Sequence, residues 1–570
     1  MEFWVHVLNF ILLLSILGVS LNLLLGYAGL VSMAHGAFFG VGAYAAAIVS
    51  RDLGVPFPLT LVVAVAVTTA VAAAVTLPAL RVYGEYLILL TLAFQMVIYG
   101  LMLSWTDLTA GRTGIAGIAR PAVLGTPMTT PTQFLPLIAV LTAVAFAVAW
   151  RIGESPFGRV LKALRDDERA TLAIGKSVLR YKVAVFAISG AFAGVAGGLF
   201  AHYQAFINPF SFTLDRSIFL VALVVLGGTA NLLGTFVGAV LFVGLPEMLR
   251  FIQMRQDVVD AVRNVIFGGL LVLFMRFRPE GLVPEHSRLG RRRRPAPPPP
   301  DVSGAVVIAR TARGDGATAL VAQGLAKHFG GIRAAEDLSL TLPRGQVTAL
   351  VGPNGAGKTT VFNLLTGFLP AETGTVTLEG RDVTRLAPWR AVRAGLARSF
   401  QDVRLFERMT VLDNVLVAIP DQPGERLGPL FFAPGRVARA ERDNRERSLR
   451  YLAFVGLAQR ASDVAGALSF GEQKLVALAR LLATEADVLL LDEPASGVDP
   501  QWVARILGLI RQCAEAGRTV CLVEHNLEAV LAVADHAYFM EAGRIIAEGP
   551  PERLMADARL AEIYFGKGRR

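Results

Sequence analysis

Gly352-Pro353-Asn354-Gly355-Ala356-Gly357-Lys358-Thr359-Thr360 is the stretch on which the fold turns. It follows the apolar run Val347-Thr348-Ala349-Leu350-Val351 and opens into Val361-Phe362-Asn363-Leu364-Leu365, which reads as a helix. Strand, glycine-rich turn, lysine, hydroxyl and helix together make the phosphate-cradling loop in the context it requires. The glycines permit turns that a Cβ resists and let backbone N–H groups approach phosphate oxygens. The helix that follows adds its positive end to the anion site. On this reading Lys358 reaches the β- and γ-phosphates and Thr359 offers a hydroxyl to Mg²⁺. A glycine-rich turn with a chance lysine does not account for both flanks, so the chain is expected to bind a nucleoside triphosphate.

Away from this loop the composition is uneven. At 570 residues the chain is too long for one domain. Its apolar share of 54% and mean hydropathy of +0.53 exceed the soluble norm of ~45–50% apolar residues. The excess lies before residue 276 in charge-poor runs, and the remainder reads as an ordinary soluble enzyme. The net charge of +10 concentrates at the edges of apolar runs and in Arg291-Arg292-Arg293-Arg294. Positive-inside bias and contact with anionic lipid explain that placement better than nucleic acid does. Cys513 and Cys521 give neither a disulfide framework nor a metal site, which fits a reducing cytosol. The start, Met1-Glu2-Phe3-Trp4, lacks a basic leader, so the first apolar run is expected to be a retained span.

Runs long enough to cross a bilayer lie near 3–25, 32–50, 57–80, 85–104, 132–150, 183–205, 217–233, 234–250 and 260–276, giving about eight to ten spans. The glycine-rich stretch 26–40 could instead be part of a broken or re-entrant helix. Gly190, Gly194, Gly197 and Gly198 are expected to let helices approach closely. Arg151 to Lys182 and Arg276-Phe277-Arg278 are rich in cations and should face the cytoplasm. Five spans before Arg151 would put the N-terminus outside. His35 and Gln95 interrupt apolar segments and are candidates to line a passage, although interhelical hydrogen bonding is the commoner role. The loop 154–182 reads as an intermittently apolar helix from Val160 to Ile174 among charged neighbours, suited to docking in a groove.

The stretches LNLLLGYAGLVSMAHGAFFGVGAYAAA (21–47), SPFGRVLKALRDDERATLAIG (155–175), AGVAGGLFAHYQAFINPFSF (193–212), VLGGTANLLGTFVGAVLF (225–242) and RFRPEGL (276–282) resemble the LivM-type permease of branched-chain amino-acid ABC importers. The similarity runs through nearly all of residues 1–285. It implies a coupling loop that carries Ala170 and Gly175 and docks on an ATPase. Residues 284–316, with Arg291 to Arg294 and a proline run, read as an extended linker between a membrane domain at 1–283 and an ATP-binding domain at 317–570.

From about 319, short strands alternate with helices, the layout of an α/β domain. Val488-Leu489-Leu490-Leu491-Asp492-Glu493 reads as a buried strand ending in two acids. There Asp492 would organise Mg²⁺ and Glu493 would be the base for the hydrolytic water. The order of motifs is similar to that of ABC ATPases, and the further roles follow from that resemblance. Phe329 would stack on adenine, and Gln401, in Ser399-Phe400-Gln401, would approach Mg²⁺ or the attacking water. Leu468-Ser469-Phe470-Gly471-Glu472 resembles the signature that meets a partner's ATP. It departs from the usual pattern at Phe470 and Glu472, and Glu472 is expected to point away from the phosphate. Ser496 and Asp499 match the D-loop, and His525 the switch histidine.

The region Asp413–Ala467 is expected to carry an exposed charged helix at 439–447. The end, Ile545 to Pro550 and Ile563 to Gly566, resembles the LivG-type subunit. The resemblance implies a multi-pass α-helical membrane domain followed by an α/β P-loop ATPase, using ATP and Mg²⁺ at the cytoplasmic membrane. Its partners would be a second permease, a second ATPase, an extracytoplasmic binding protein and membrane lipid, with no nucleic acid. An importer of urea or short amides, a homodimeric exporter and a non-transport ABC ATPase are the competing readings. The absence of long intracellular helices weighs against the exporter, and the many spans weigh against the last.

Overall fold

The computed structural model describes residues 1–79, 85–123 and 126–249, scattered positions from 265 to 285, and 317–565. It divides into two compact units, Met1–Arg165 with Leu179–Arg293, and Asp166–Val178 with Arg294–Arg570. The stretch 286–316, most of the expected linker, and most of the run expected at 260–276 lie outside the described residues.

The first unit is built from helices α1 (Glu2–Asn22), α2 (His35–Leu53), α3 (Phe57–Ala79), α4 (Glu85–Ser104), α5 (Pro131–Gly153), α6 (Pro156–Asp166), α8 (Val178–Gln204), α9 (Leu214–Gly227) and α10 (Leu232–Leu249); α7 (Glu168–Ala173) belongs to the second unit. Among the described residues, six segments are long and apolar enough to cross a membrane: those of α1, α3, α4, α5, α8 and α9. Helix α1 is the central one. Leu13, Ile16, Leu17, Val19 and Leu21 are buried, and α1 packs against α5, α9 and α10.

Its end shows why the chain breaks. Asn22 Oδ1 accepts the Ala230 N–H at 2.8 Å, and its Nδ2 donates to Thr235 Oγ1 at 2.7 Å and Asn231 O at 3.0 Å. This amide satisfies backbone groups where α9 gives way to α10, in apolar surroundings where an unmet group would be costly. The helix then widens over Leu23–Tyr27, runs irregularly, and resumes at His35, so 26–40 is indeed broken. The close-approach reading of α8 also holds. A Cβ at Gly194 would sit 2.8 Å from Ala64 O, and one at Gly197 would sit 2.4 Å from Phe39 O.

His35 and Gln95 sit between helices of this unit. Both are fully buried. His35 Nε2 lies 2.9 Å from Ser189 Oγ. Gln95 Oε1 accepts from Ala37 N–H at 2.5 Å and Ser217 Oγ at 3.2 Å, while its Nε2 donates to Phe212 O at 2.9 Å. They tie helices together, because a polar group inside an apolar bundle is held by whatever partners neighbouring helices supply.

The second unit contains two sheets. A four-stranded antiparallel sheet joins β1 (Thr318–Phe329), β2 (Ile332–Pro343), β4 (Thr373–Leu378) and β5 (Arg381–Asp382) in the order β2-β1-β4-β5. The six-stranded sheet runs β6 (Leu396–Arg398), β7 (Val488–Asp492), β8 (Thr519–Val523), β3 (Val347–Val351), β9 (His536–Glu541) and β10 (Arg544–Gly549). Its first five strands are parallel and β10 is antiparallel. Strands β3, β7 and β8 are buried along their whole length, as continuous apolar runs require. Parallel strands end on one edge of the sheet, so the segments that follow β3, β6, β7 and β8 gather there.

The charged run at 439–447 lies within the helix Pro434–Phe454, which turns only Asn444 of that run into the interior. Cys513 and Cys521 are buried and unbridged, and burial pushes both thiols up to about 12. The long helix expected from Val160 to Ile174 is two helices. Asp167 ends α6 and caps α7 (Glu168–Ala173), its carboxylate accepting the Ala170 N–H at 2.8 Å.

Candidate nucleotide site and coupling segment

Strand β3 ends at Val351, and the turn 352–357 leads into helix α11 (Lys358–Leu365). Gly357 caps that helix with φ 103°, and a Cβ there would lie 2.2 Å from Ala334 O. Only glycine fits. Gly352 and Ala356 are buried, Asn354 and Gly355 face solvent, and Pro353 lies between. Lys358 is buried, and its Nζ donates to Gly352 O at 2.7 Å and Pro353 O at 3.0 Å. Burial lowers its pKa, against the opposing charges of Glu493 and Asp492. Thr359 is exposed on the first turn and Thr360 half-buried. Phe329, at the end of β1, is 48% exposed, with Lys327 Nζ 5.7 Å from its ring.

Strand β7 delivers the acids. The Asp492 N–H donates to Ser399 Oγ at 3.0 Å, and Oδ2 lies 3.5 Å from Arg398 Nη2. Among the described residues, the buried Oδ1 has no hydrogen-bond partner. Burial raises the carboxyl's pKa. The next residue, Glu493, has φ 47°, a left-handed backbone rare for a side-chain-bearing residue and typical of functional sites. Its N–H donates to Val523 O at 2.9 Å, and its Oε1 meets His525 Nε2 at 2.8 Å. The two sequence candidates on neighbouring strands therefore touch.

Ser496 and Asp499 follow directly. Ser496 N–H donates to Glu493 O at 3.3 Å, and the exposed Asp499 occupies the N-cap of Pro500–Glu515 without a side-chain bond to it. In the signature, Leu468 is buried and Phe470 is exposed. A Cβ on Gly471 would meet the Trp502 ring at 2.7 Å. Glu472 does not stand clear of the signature serine. Its Oε2 accepts the Ser469 N–H at 2.9 Å and the Ser469 hydroxyl at 2.8 Å, and Arg460 Nη1 lies 3.2 Å from Oε1. Serine followed three residues later by glutamate at a helix start is a capping box, which satisfies backbone donors at the start of the helix.

Gln401 is exposed and borders an open cleft of about 690 Å³, with Ala170, Ile174, Arg404, Asp492 and Glu493 among its other walls. Ala170 and Ile174 come from Asp166–Val178, the short stretch that clusters with the second unit. Asp167 Oδ2 accepts from Arg404 Nη1 at 2.9 Å. Lys176 Nζ reaches Glu425 Oε1 at 2.5 Å and Ile419 O at 2.9 Å, both side chains being nearly excluded from solvent. Gly175 has φ 80°, and a Cβ there would lie 3.2 Å from Val392 Cγ1.

Sequence reading passed over several residues of this neighbourhood. Lys474 Nζ donates to Glu493 O at 2.8 Å. Glu524 is buried and accepts the Ala495 N–H at 2.8 Å. Arg398 is buried at the end of β6, and burial pushes its guanidinium down to about 10. The available signal was a lone cation closing the short apolar run Gly395-Leu396-Ala397. Among the described residues there is no cluster of three His, Cys, Asp or Glu able to hold a metal. An oxygen-seeking cation would rely on Asp492, the Thr359 hydroxyl and Gln401, and the unpartnered Asp492 Oδ1 fits such an ion.

Residues 3–275 match the family described as branched-chain amino acid transport system / permease component, and residues 335–496 match the ABC transporter family. The ATP-binding protein LivG of Salmonella typhimurium, described as serving high-affinity branched-chain amino acid transport, is 36% identical over 249 residues, which span 44% of this chain and 98% of LivG. BraF of Pseudomonas aeruginosa, with the same description, is 36% identical over 250 residues, 44% of this chain and 98% of BraF. A solved nucleotide-free ATP-binding cassette from an ABC transporter is 34% identical and is covered completely by 44% of this chain, with a TM-score of 0.39. The chain hydrolyses ATP and belongs to the ABC transporter family in its branched-chain amino acid branch, a permease component followed in one polypeptide by a LivG-like cassette.

Proposed function

We propose that the chain powers ATP-driven import of branched-chain, hydrophobic amino acids across the cytoplasmic membrane, serving as fused permease and ATPase of a binding-protein-dependent importer. The observation that carries the reading is the 2.8 Å contact between Glu493 and His525 at the strand edge shared with the phosphate loop. The substrate class comes from the descriptions of LivG and BraF and of the permease family. A second permease, a second ATPase and an external binding protein complete the assembly.

In this mechanism the phosphate-loop N–H groups and Lys358 bind and orient the triphosphate. Phe329 supplies an exposed face for the base. Mg²⁺, when bound, neutralises charge on the β- and γ-phosphates, and Thr359, Asp492 and Gln401 would hold it. Glu493 accepts a proton from the attacking water, and His525 orients that carboxylate and reads the γ-phosphate. Ser469 and its neighbours face the ATP bound by a partner cassette, with Ser496 and Asp499 at the same junction. Closure of the paired cassettes moves the segment that carries Ala170 and Gly175. A shift between two states follows, driven by their different affinities for nucleotide.

The test is uptake of labelled leucine into vesicles holding the whole assembly with its binding protein. ATP-dependent accumulation that is lost on Glu493→Gln supports the proposal. Accumulation of urea or short amides in place of leucine overturns the substrate assignment, and ATP consumption with no uptake of any of these overturns import.

A further inference from the structure

Arg398 is an expensive residue to bury. A guanidinium removed from water must recover its solvation from fixed partners, and few ion pairs do so with profit. Here the partners come from three directions. Nη1 donates to Asn363 Oδ1 at 2.5 Å, on the helix that follows the phosphate loop. Nε donates to Ser399 O at 3.2 Å, on the segment leading to Gln401. Nη2 faces Asp492 Oδ2 at 3.5 Å, at the end of β7. The plane of the cation also lies 4.7 Å from the centre of the Phe400 ring and 5.5 Å from that of Phe368. On the far side of Asp492, Oδ1 is buried without a hydrogen-bond partner among the described residues.

A carboxylate held through one oxygen by a fixed cation, with the other oxygen bare, is aimed. We propose that Arg398 is a positioning residue that clamps Asp492 by Oδ2, so that Oδ1 faces the divalent cation accompanying ATP. This rests on the assignment of Asp492 to that cation made above. Outer partners of metal-binding carboxylates act in this way, and losing one weakens metal affinity about 10- to 100-fold. The clamp is joined to the coupling segment as well. The Phe400 ring lies under Arg398 on one hand and 5.3 Å from the Arg404 guanidinium on the other, and Arg404 holds Asp167. Any displacement of Asp167 therefore bears on the ring that packs against the clamp.

The experiment uses the full chain in detergent or nanodiscs, with Glu493→Gln to prevent turnover. Mn²⁺ replaces Mg²⁺, and its binding in the presence of ATP is followed by electron paramagnetic resonance. Arg398→Gln is expected to weaken Mn²⁺ affinity about tenfold while ATP affinity in EDTA stays near that of the parent. Arg398→Lys, which keeps the charge and loses the fork, should recover part of the loss, and it serves as the test if Arg398→Gln does not fold. Asp492→Asn should weaken Mn²⁺ binding by itself, and adding Arg398→Gln to it should bring no further loss. Parental Mn²⁺ affinity in the folded Arg398 variants, or full additivity with Asp492→Asn, overturns the clamp. Parental affinity in Asp492→Asn overturns instead the metal role of Asp492 on which the clamp depends.

Discussion

His525 Nε2 and Glu493 Oε1 lie 2.8 Å apart, at the ends of two adjacent parallel strands whose registers pair Asp492 with Val523. Glu493 makes this contact from a backbone with the unusual φ of 47°. Each side chain thus orients the other.

Replacing Glu493 by Gln keeps size and hydrogen bonding but removes the proton acceptor. ATP hydrolysis by the assembled transporter should fall about 10²- to 10⁴-fold, with nucleotide binding kept. Phosphate release and binding of a fluorescent ATP analogue, measured side by side, check this. Turnover at the parental rate would remove Glu493 from the role of base.

Lys358→Ala acts one step earlier. A charge-assisted bond to phosphate contributes about 1.5–3 kcal/mol, so ATP affinity should drop roughly tenfold to a hundredfold. Equilibrium binding in EDTA isolates the effect from the metal. An unchanged dissociation constant contradicts the assignment.

The ion pair of Lys176 with Glu425 is nearly dry. Breaking it on one side strands a charge and costs about 3–5 kcal/mol, whereas removing both charges is close to neutral. Lys176→Met or Glu425→Met alone should therefore lower leucine uptake per ATP hydrolysed, and the double substitution should restore much of it. Three variants with the same uptake-to-hydrolysis ratio would show that this contact does not couple the two activities.

Tyr564 donates to His525 O at 2.6 Å and so ties His525 to the helix Ala558–Phe565. Tyr564→Phe removes one hydrogen bond, worth about 0.5–1.5 kcal/mol net. A few-fold slower hydrolysis at unchanged ATP affinity is the expected outcome, read from steady-state rates and binding. A loss of ATP affinity with no change in maximal rate would place Tyr564 elsewhere in the cycle.

The glycine-rich turn between β3 and α11 and the acid pair closing β7 were legible as elements of structure, because each is a short run whose pattern depends on neighbours a few residues away. The broken helix near Gly29 and the close helix contacts of Gly194 were legible for a related reason, since glycine in an apolar span has few uses. The partners of His35 and Gln95 were not legible, because polarity within a span does not reveal what meets it. The three-residue spacing of Glu472 from Ser469 was readable as a capping box.

What the linear chain determined by itself was the local chemistry, because strand periodicity, turn glycines and caps depend on neighbours a few residues away. Tertiary structure alone decided which charges meet. Arg398 finds Asp492 across 94 positions, and Lys176 finds Glu425 across 249, because parallel strands and packed helices bring their ends to one edge. Burial then sets the strength of each pair, through a loss of solvation that no local pattern records.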